Sequence, residues 1–207
     1  MMSERRGNLI LGSNVVELLL PHRRPFLMVD FIRAFHPGPP PALEAGRHLT
    51  ANDPIFGGHF PGLHIWPGAL TIEGLGQTGV LLLAILEIRR AAEAQGSDPD
   101  TALDELRNLE AGFTLQPGYD PDRARHLTRA IRAASSRIAV GTSVQMKFQR
   151  PVFAGQRLDY RVTLSGLHGS GMRFDAEASV EGSVVASGIM MGAAVARPAS
   201  AGDEGSG

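Results

Sequence analysis

The sequence predicts an α+β domain in which a sheet of antiparallel strands wraps around one very apolar helix. Residues 69–86 contain a single charged side chain, that of Glu73, which indicates a helix buried inside a protein. Segments of strand composition lie on both sides of it, and Glu181-Gly182-Ser183 is typical of a hairpin turn. One apolar helix together with antiparallel strands is the pattern expected of a sheet folded over a helix.

Local signals predict the other elements. Asn14 is placed to cap a short helix that Pro21 ends, and Pro67 is a natural first residue for the long helix, which we expect to continue to about Gln95. Apolar, β-branched and alternating residues bounded by Gly and Pro indicate strands. These predicted strands cover residues 26–35, 42–50, 142–148, 157–164, 172–180 and 184–196.

Composition favours one domain with a substantial core, since 43% of the 207 residues are hydrophobic and 20% are charged. We expect this domain over residues 14–196, a loosely held segment over 1–13 and a disordered tail over 197–207. A net charge of −1 lacks the basic balance typical of nucleic-acid-binding proteins. The absence of cysteine excludes disulfides, a cysteine nucleophile and cysteine-containing zinc sites.

The apolar helix also approaches the length of a membrane span. Glu73, Gln77 and three glycines within it favour a helix buried in a soluble protein instead. The N-terminus has no apolar run of the kind found in signal peptides, so we expect a cytoplasmic protein with no membrane partner.

The glycines of the apolar helix form a G-x-G-x-x-G pattern at Gly74, Gly76 and Gly79, and Glu93 follows at a distance suited to a ribose-binding acid. Taken alone, this pattern indicates a dinucleotide site. A dinucleotide-binding unit also requires a strand before the glycines and a second parallel strand ending at the acid. Pro67 and Gly68 leave room for a preceding strand of only about five residues, and no second parallel strand follows Ile88. The nucleotide interpretation is therefore the weaker one.

A more specific group of residues surrounds the start of the helix. Residues 58–62 read Gly-His-Phe-Pro-Gly, and Gly68, Glu73 and Gln77 follow. Upstream, residues 20–30 read Leu-Pro-His-Arg-Arg-Pro-Phe-Leu-Met-Val-Asp, and downstream, residues 148–152 read Phe-Gln-Arg-Pro-Val. These three segments resemble the FabZ-type β-hydroxyacyl-acyl carrier protein dehydratases over about residues 14–90 and 142–196. The resemblance implies a hotdog fold.

The residues suit the reaction of that family, which removes water from a β-hydroxyacyl thioester. His59 suits the base that takes the α-proton, because histidine exchanges protons near neutral pH. Glu73 suits the acid that protonates the leaving hydroxyl, because its charged form is poorly solvated on an apolar helix. Gly68 places backbone N–H groups at the helix start to polarise the thioester oxygen. Gln77, one turn after Glu73, is placed to orient its carboxyl group.

The resemblance also implies what surrounds this site. Phe60, Trp66 and Pro67 are expected to line the substrate tunnel, and Trp66 stands where the family has a Met-like residue, so it should narrow or reshape the tunnel. His59 and Glu73 are expected to meet across a homodimer interface, with a trimer of dimers left open. An acyl carrier protein is the expected partner, delivering the acyl group on phosphopantetheine. The reaction requires no metal or redox cofactor, and no nucleic acid is expected.

Simpler interpretations remain open for single residues. A loop histidine is more often structural than catalytic, and a glutamate in an apolar helix can bond a backbone group. His22 and His48 are expected to be structural, and His64 to lie at the rim of the site. Two rival functions also remain: a hotdog thioesterase, and a non-catalytic acyl-thioester-binding protein that binds without turnover.

Residues 97–139 are additional to the family pattern. Asp98-Pro99 and Asp120-Pro121 each open an amphipathic helical segment there. One interpretation is a tolerated surface insertion. The other is a lid or a carrier-protein docking element, because five arginines offer a basic face to an acidic partner. These arginines are Arg123, Arg125, Arg129, Arg132 and Arg137.

Overall fold

The fold is a curved antiparallel sheet with one long helix at its centre. The computed structural model describes residues 8–134 and 137–196. Its strands are β1 (Asn8–Leu11), β2 (Phe31–His36), β3 (Ala42–His48), β4 (Arg137–Phe148), β5 (Arg157–His168), β6 (Gly171–Val180) and β7 (Ser183–Ala196), and its helices are α1 (Ser13–Leu19), α2 (Gly68–Ala94), α3 (Thr101–Phe113) and α4 (Pro121–Ala134). The seven strands form one sheet in the order β1-β2-β3-β5-β6-β7-β4, with every neighbouring pair antiparallel.

Period-two alternation decides which face of the sheet covers the helix. In β6, Met172, Phe174 and Ala176 are buried, while the residues between them point outward. The outer face carries charge, and Glu44 on β3 contacts Arg33, His36 and Arg161 there. Although partial burial alone raises the pKa of Glu44, these three neighbours lower it below its ordinary value. The outer face of the sheet is polar and the inner face is apolar. α2 therefore packs against the inner face.

The N-terminal part differs from the prediction. Residues 1–13 were expected to be loosely held, which is wrong for residues 8–13: Leu9 and Leu11 of β1 are buried, and α1 begins at Ser13 with Gly12, not Asn14, as its N-cap. The Glu110 carboxylate on α3 accepts the Gly12 N–H at 2.8 Å. Packing with α3 stabilises this short segment, which local sequence signals could not reveal. Residues 1–7 and 197–207, including the predicted tail, lie outside the described residues.

Two strand boundaries also move. β2 begins five residues later than predicted, at Phe31, because backbone groups of residues 26–28 bond the side chains of Gln77 and Arg47 rather than a neighbouring strand. β4 begins at Arg137 rather than at residue 142, so strand pairing with β7 extends into the end of the predicted insert.

α2 begins at Gly68 with Pro67 as its N-cap, one residue later than predicted, and ends at Ala94. It is long and apolar enough to cross a membrane by length and composition, but half of its most apolar window is buried inside the fold. Thr71, Leu75, Leu82 and Ile85 are among its buried residues. These contacts make α2 the core helix of the sheet, as the sequence predicts.

The glycines of α2 make room for side chains of the sheet. A Cβ on Gly74 would lie 2.3 Å from the Tyr160 hydroxyl oxygen, and one on Gly79 would lie 3.7 Å from the Phe174 ring. The glycines lie within a continuous helix and not in a strand-to-helix turn, so the nucleotide interpretation is wrong. Tyr160 is fully buried beneath Gly74, and burial raises the pKa of its phenol.

Residues 101–134 form part of the core. Both α3 and α4 pack on α2, and α3 also contacts α1 and β1. Asn108 binds Asp120 in both directions, donating to its carbonyl oxygen and accepting its N–H, both at 2.8 Å. The buried apolar residues of the two helices are Ala102, Leu103, Leu106, Leu109, Ala124, Leu127 and Ile131. The two helices are therefore packed on the core helix through their apolar faces.

We predict that Gly74→Ala lowers the free energy of unfolding by about 1–3 kcal/mol, the usual cost of overpacking a core. The added methyl group meets the ring of Tyr160, which is fully buried and has no room to move. Gly76→Ala is the matched control, because its methyl group would meet only Met190 Cε at 3.5 Å. That control should be neutral or more stable by up to about 1 kcal/mol through helix propensity. Urea unfolding measures both, and equal stability of the two variants would contradict this packing.

Candidate active site

His59 is held in a loop before α2 that folds on itself. Asp53 accepts the Ile55 N–H at 3.2 Å and caps a 3-10 turn over Pro54–Gly57, after which the His59 N–H bonds the Ile55 carbonyl at 3.0 Å. The ring Nδ1 lies 2.9 Å from the Ile65 carbonyl oxygen. Because a carbonyl oxygen only accepts, Nδ1 is the protonated nitrogen and Nε2 carries the free lone pair. The Nε2 atom of His59 is thus free to accept a proton or a hydrogen bond.

A cavity of about 400 Å³ opens beside His59. His59, Trp66 and Gly68 line it together with the end of β4. Gly68 is the first residue of α2, where backbone N–H groups have no intrahelical acceptor. His59 and the backbone N–H groups at the start of α2 therefore face one space.

Two of the predicted tunnel residues lie beside this cavity without lining it. Phe60 is half exposed and stacks on the His59 ring, with 4.1 Å between the ring centroids. Pro67 is the N-cap of α2. Among the three predicted tunnel residues, Trp66 is the one that lines the His59 cavity.

Glu73 lies one and a half turns into α2, with its side chain 30% exposed. Gln77 Nε2 donates to Glu73 Oε1 at 2.9 Å and to the Phe26 carbonyl at 2.7 Å, and Gln77 Oε1 accepts the Met28 N–H at 2.8 Å. These three bonds define the amide orientation without ambiguity. Gln77, buried to 1% exposure, therefore contacts the Glu73 carboxylate directly, and its role in orienting that group stays a prediction.

A second cavity, of about 290 Å³, extends from Glu73 along α2. It is bounded by one face of the helix and by inner-face residues of β4, β6 and β7. From Ile72 to Leu83 the helix rises about 16 Å, enough for an extended acyl chain. The apolar lining residues are Phe26, Ile72, Leu75, Val80, Leu83, Val140, Val144, Met172, Phe174, Met190 and Met191, with Gly76, Gly79, Gly141 and Gly192. This lining was missed, although the helical spacing of Ile72, Gly76, Gly79 and Leu83 is visible in the sequence.

His59 and Glu73 line different cavities of one chain. The His59 cavity contains Gly68 but not Glu73, and the cavity along α2 contains Glu73 and Gln77 but not His59. Neither cavity of a single copy holds both predicted catalytic side chains.

Comparison with known proteins identifies the family. A model of the FabA-like domain matches residues 20–106. A 3-hydroxyacyl-[acyl-carrier-protein] dehydratase FabZ from Anaeromyxobacter sp. is 30% identical over 191 residues, covering 92% of this chain and 94% of that protein. The chain belongs to the FabZ dehydratase family. A FabZ from Chlamydia trachomatis is 47% identical over 79 residues, which cover 38% of this chain and 51% of that protein.

Solved structures agree with the fold of the FabZ family. The dehydratase heterocomplex ApeI:P from Xenorhabdus doucetiae has a chain that superposes with a TM-score of 0.54 at 14% identity, covering 88% of this chain and 90% of that one. At this identity the likeness concerns the fold alone. The predicted hotdog architecture is confirmed.

Trp66 is a departure from the FabZ pattern that the structure explains. Its ring is 3% exposed and packs 5.9 Å from Phe56 and under the Arg47 guanidinium, whose carbon lies 5.0 Å from the ring centroid. Because the lining of the cavity along α2 does not include it, Trp66 shapes the His59 side of the site.

Arg47 joins two parts of the site, a role that the sequence did not predict. Its Nη1 donates to the Leu27 carbonyl at 2.5 Å, and its Nη2 lies 2.6 Å from Asp53 Oδ2. Leu27 lies between the two residues that Gln77 binds, and Asp53 caps the turn that leads to His59. One buried guanidinium therefore ties the segment that holds Gln77 to the loop that holds His59.

The other histidines differ in their surroundings. His48 lies against Phe31, which agrees with a structural role. His64, expected at the rim of the site, is exposed and stacks on Phe56. His22 was also expected to be structural, but its Nε2 lies 3.7 Å from Glu73 Oε1. In the part of the chain that is described, no cluster of three His, Asp or Glu residues is arranged to hold a metal ion.

We predict that Arg47→Met lowers the free energy of unfolding by about 3 kcal/mol, the usual cost of removing one member of a largely buried ion pair. The variant loses the bond to Leu27 and leaves the Asp53 carboxylate unpaired. Arg33→Met is the control, because Arg33 is half exposed where it pairs with Glu44, and it should change stability by no more than about 1 kcal/mol. Urea unfolding of both variants checks this prediction. An equal loss in the free energy of unfolding would show that the Arg47 contacts stabilise the fold no more than an exposed ion pair does.

Proposed function

We propose that this protein eliminates water from a β-hydroxyacyl thioester carried on an acyl carrier protein, and releases the trans-2-enoyl thioester. Membership of the FabZ family supports this reaction. The observation that carries the residue assignment is the bond from His59 Nδ1 to the Ile65 carbonyl, which leaves Nε2 as a base in a cavity shared with the start of α2.

The reaction needs three functions, and the chain supplies a group for each. His59 Nε2 takes the proton from the α-carbon, and the electron pair of that C–H bond becomes the new double bond. Backbone N–H groups at Gly68 stabilise the charge that develops on the thioester oxygen. Glu73 gives its proton to the β-hydroxyl group, which leaves as water. Only protons and a hydroxyl group move, so the chemistry calls for no metal or redox cofactor.

A second copy of the chain completes the site in this proposal. His59 and Glu73 line separate cavities of one copy, so each active site takes one residue from each protomer. β4 supports this assembly, because among the described strands it lies at the edge of the sheet and pairs with β7 alone. Val140, Val144 and Phe148 on β4 are about half exposed where they border the two cavities. An unpaired apolar edge strand is a ready surface for pairing with a second copy.

The acyl chain occupies the apolar cavity along α2, and its β-carbon lies next to Glu73 at the open end. The carrier protein docks outside this end and supplies the phosphopantetheine arm. The predicted basic face on α4 is a weak candidate for docking, because Arg123 pairs with Glu105 and Arg125 with Asp122. The side chains of Arg129, Arg132 and Arg137 lie outside the described residues. A cytoplasmic location stays a prediction.

We predict that His59→Ala and Glu73→Gln each lower kcat by about 10²- to 10⁴-fold, the usual contribution of a general base or acid. Mass spectrometry follows water loss from β-hydroxyacyl thioesters of increasing length, on a carrier protein and on pantetheine. His168→Ala, at the exposed end of β5, is the control and should retain full activity.

Other outcomes of that assay identify the rivals. Release of a free thiol would establish a thioesterase. Binding of the thioester without turnover, by a folded protein whose affinity is unchanged in His59→Ala, would establish a binding protein. Full activity in His59→Ala would show that another residue is the base.

Mixing the two inactive variants tests the shared site. If subunits of His59→Ala and Glu73→Gln exchange at equal concentrations, half of the dimers are mixed, and each mixed dimer has one complete site of two. We predict recovery of about a quarter of wild-type activity, from one half multiplied by one half. Multi-angle light scattering gives the assembly mass. A mixture that exchanges subunits, as shown by mass-tagged copies, and stays inactive would place both residues in one protomer.

A further inference from the structure

The mechanism leaves one partly buried histidine beside the acid without a role. His22 Nε2 lies 3.7 Å from Glu73 Oε1, and its side chain is 28% exposed at the end of the cavity along α2. Its other ring nitrogen, Nδ1, is buried and has no hydrogen-bond partner among the described residues. An unpaired buried polar atom costs about 1–3 kcal/mol, so its retention calls for an explanation.

Stability does not supply that explanation. The segment that carries His22 is already attached to α2 by the bonds of Gln77 to Phe26 and Met28. Its ring contacts the Phe26 ring with 6.1 Å between centroids, a contact that an apolar side chain of similar size would also make. A histidine at this position places a polar nitrogen next to Glu73. Leucine and phenylalanine have no such nitrogen.

The buried Nδ1 indicates which nitrogen carries the proton. A buried N–H without an acceptor is rarer in proteins than a buried acceptor without a donor. The neutral ring therefore carries its proton on Nε2, facing Glu73, and leaves Nδ1 as the bare nitrogen. The separation of 3.7 Å is longer than a hydrogen bond, but bonds of catalytic groups often tighten only when substrate is bound.

Two donors then converge on one carboxyl oxygen. Gln77 Nε2 donates to Glu73 Oε1 at 2.9 Å, and His22 Nε2 faces the same oxygen. In the protonated carboxyl group that the proposed function assigns to Glu73, the oxygen that accepts two N–H groups is the carbonyl oxygen, because the other oxygen carries the proton. The acidic proton is consequently held on Oε2.

We propose that His22 is a positioning residue for Glu73: together with Gln77 it anchors Oε1, so that Oε2 carries the proton and delivers it to the leaving hydroxyl group. His22 acts through Glu73 and does not itself exchange a proton with substrate. This role rests on the proposed function of Glu73 as the acid. It requires only a neutral donor at position 22, which separates it from a titrating base.

Comparison of His22→Leu with His22→Gln tests this role, because glutamine keeps an N–H donor of similar reach and leucine has none. In His22→Leu we expect kcat to fall about 10- to 100-fold, the scale of a misplaced catalytic group, with KM changed by no more than about threefold, because leucine keeps the end of the acyl cavity lined by an apolar side chain. In His22→Gln we expect kcat within about threefold of wild type, since the donor is retained. His48→Leu, on the outer side of the sheet against Phe31, is the control and should match wild type.

Urea unfolding of each variant separates loss of fold from loss of positioning. Full activity in a folded His22→Leu variant would overturn the proposal. An equal fall of kcat in His22→Gln and His22→Leu, with both variants folded, would overturn it as well. The ¹⁵N shifts of the His22 ring provide a second test that needs no turnover. They should show a neutral ring protonated on Nε2, and a ring protonated on Nδ1 would overturn the proposal even if the protein dehydrates no thioester.

Discussion

The buried amide of Gln77 is the interaction on which the arrangement of the site depends. Its three bonds join α2 to the backbone of Phe26 and Met28 and to the Glu73 carboxylate. Because a buried amide must find partners for its donors and acceptor, the segment before β2 cannot pair as a strand until it has passed the helix. The carbonyl of Leu27, between these two residues, accepts a hydrogen bond from Arg47. Arg47 extends the same network to the loop that carries His59.

This network explains why part of the site was predictable from the sequence and part was not. His59, Gly68, Glu73 and Gln77 lie in short motifs whose spacing matches a known family, and strands with clean alternation, such as β6, follow from their pattern. Arg47 carries no such signal, because its partners come from segments far from it in the chain. Trp66 was expected to reshape the acyl tunnel, but its packing against Arg47 depends on tertiary contacts that no local pattern reveals.

The helices α3 and α4 illustrate the same limit on a larger scale. The start signal of α4 was correct, because Asp120 caps it by accepting the Asp122 N–H at 2.9 Å. α3 instead begins at Thr101 with Asp100 as its N-cap, two residues after the start predicted at Pro99. The position of the two helices was not predictable. An amphipathic pattern shows that one face of a helix is buried, but it does not show which other element covers that face. The Asn108–Asp120 bonds and the Arg89–Asp100 ion pair at 2.5 Å join these helices to each other and to α2. An addition to the family pattern has thus become a second layer over the core helix.

The glycines at positions 74, 76 and 79 of α2 have a consequence for the order of folding. Each glycine costs a helix about 1 kcal/mol relative to alanine, and isolated helices are marginal even with good helix formers. α2 therefore has little tendency to form before the sheet surrounds it. The central pair of that sheet joins residues far apart in the chain, Ala42 with Thr163, and closing such a loop is slow. We expect hydrogen exchange during refolding to protect β5, β6 and β7, which are joined by short turns, before it protects the helix that carries the acid.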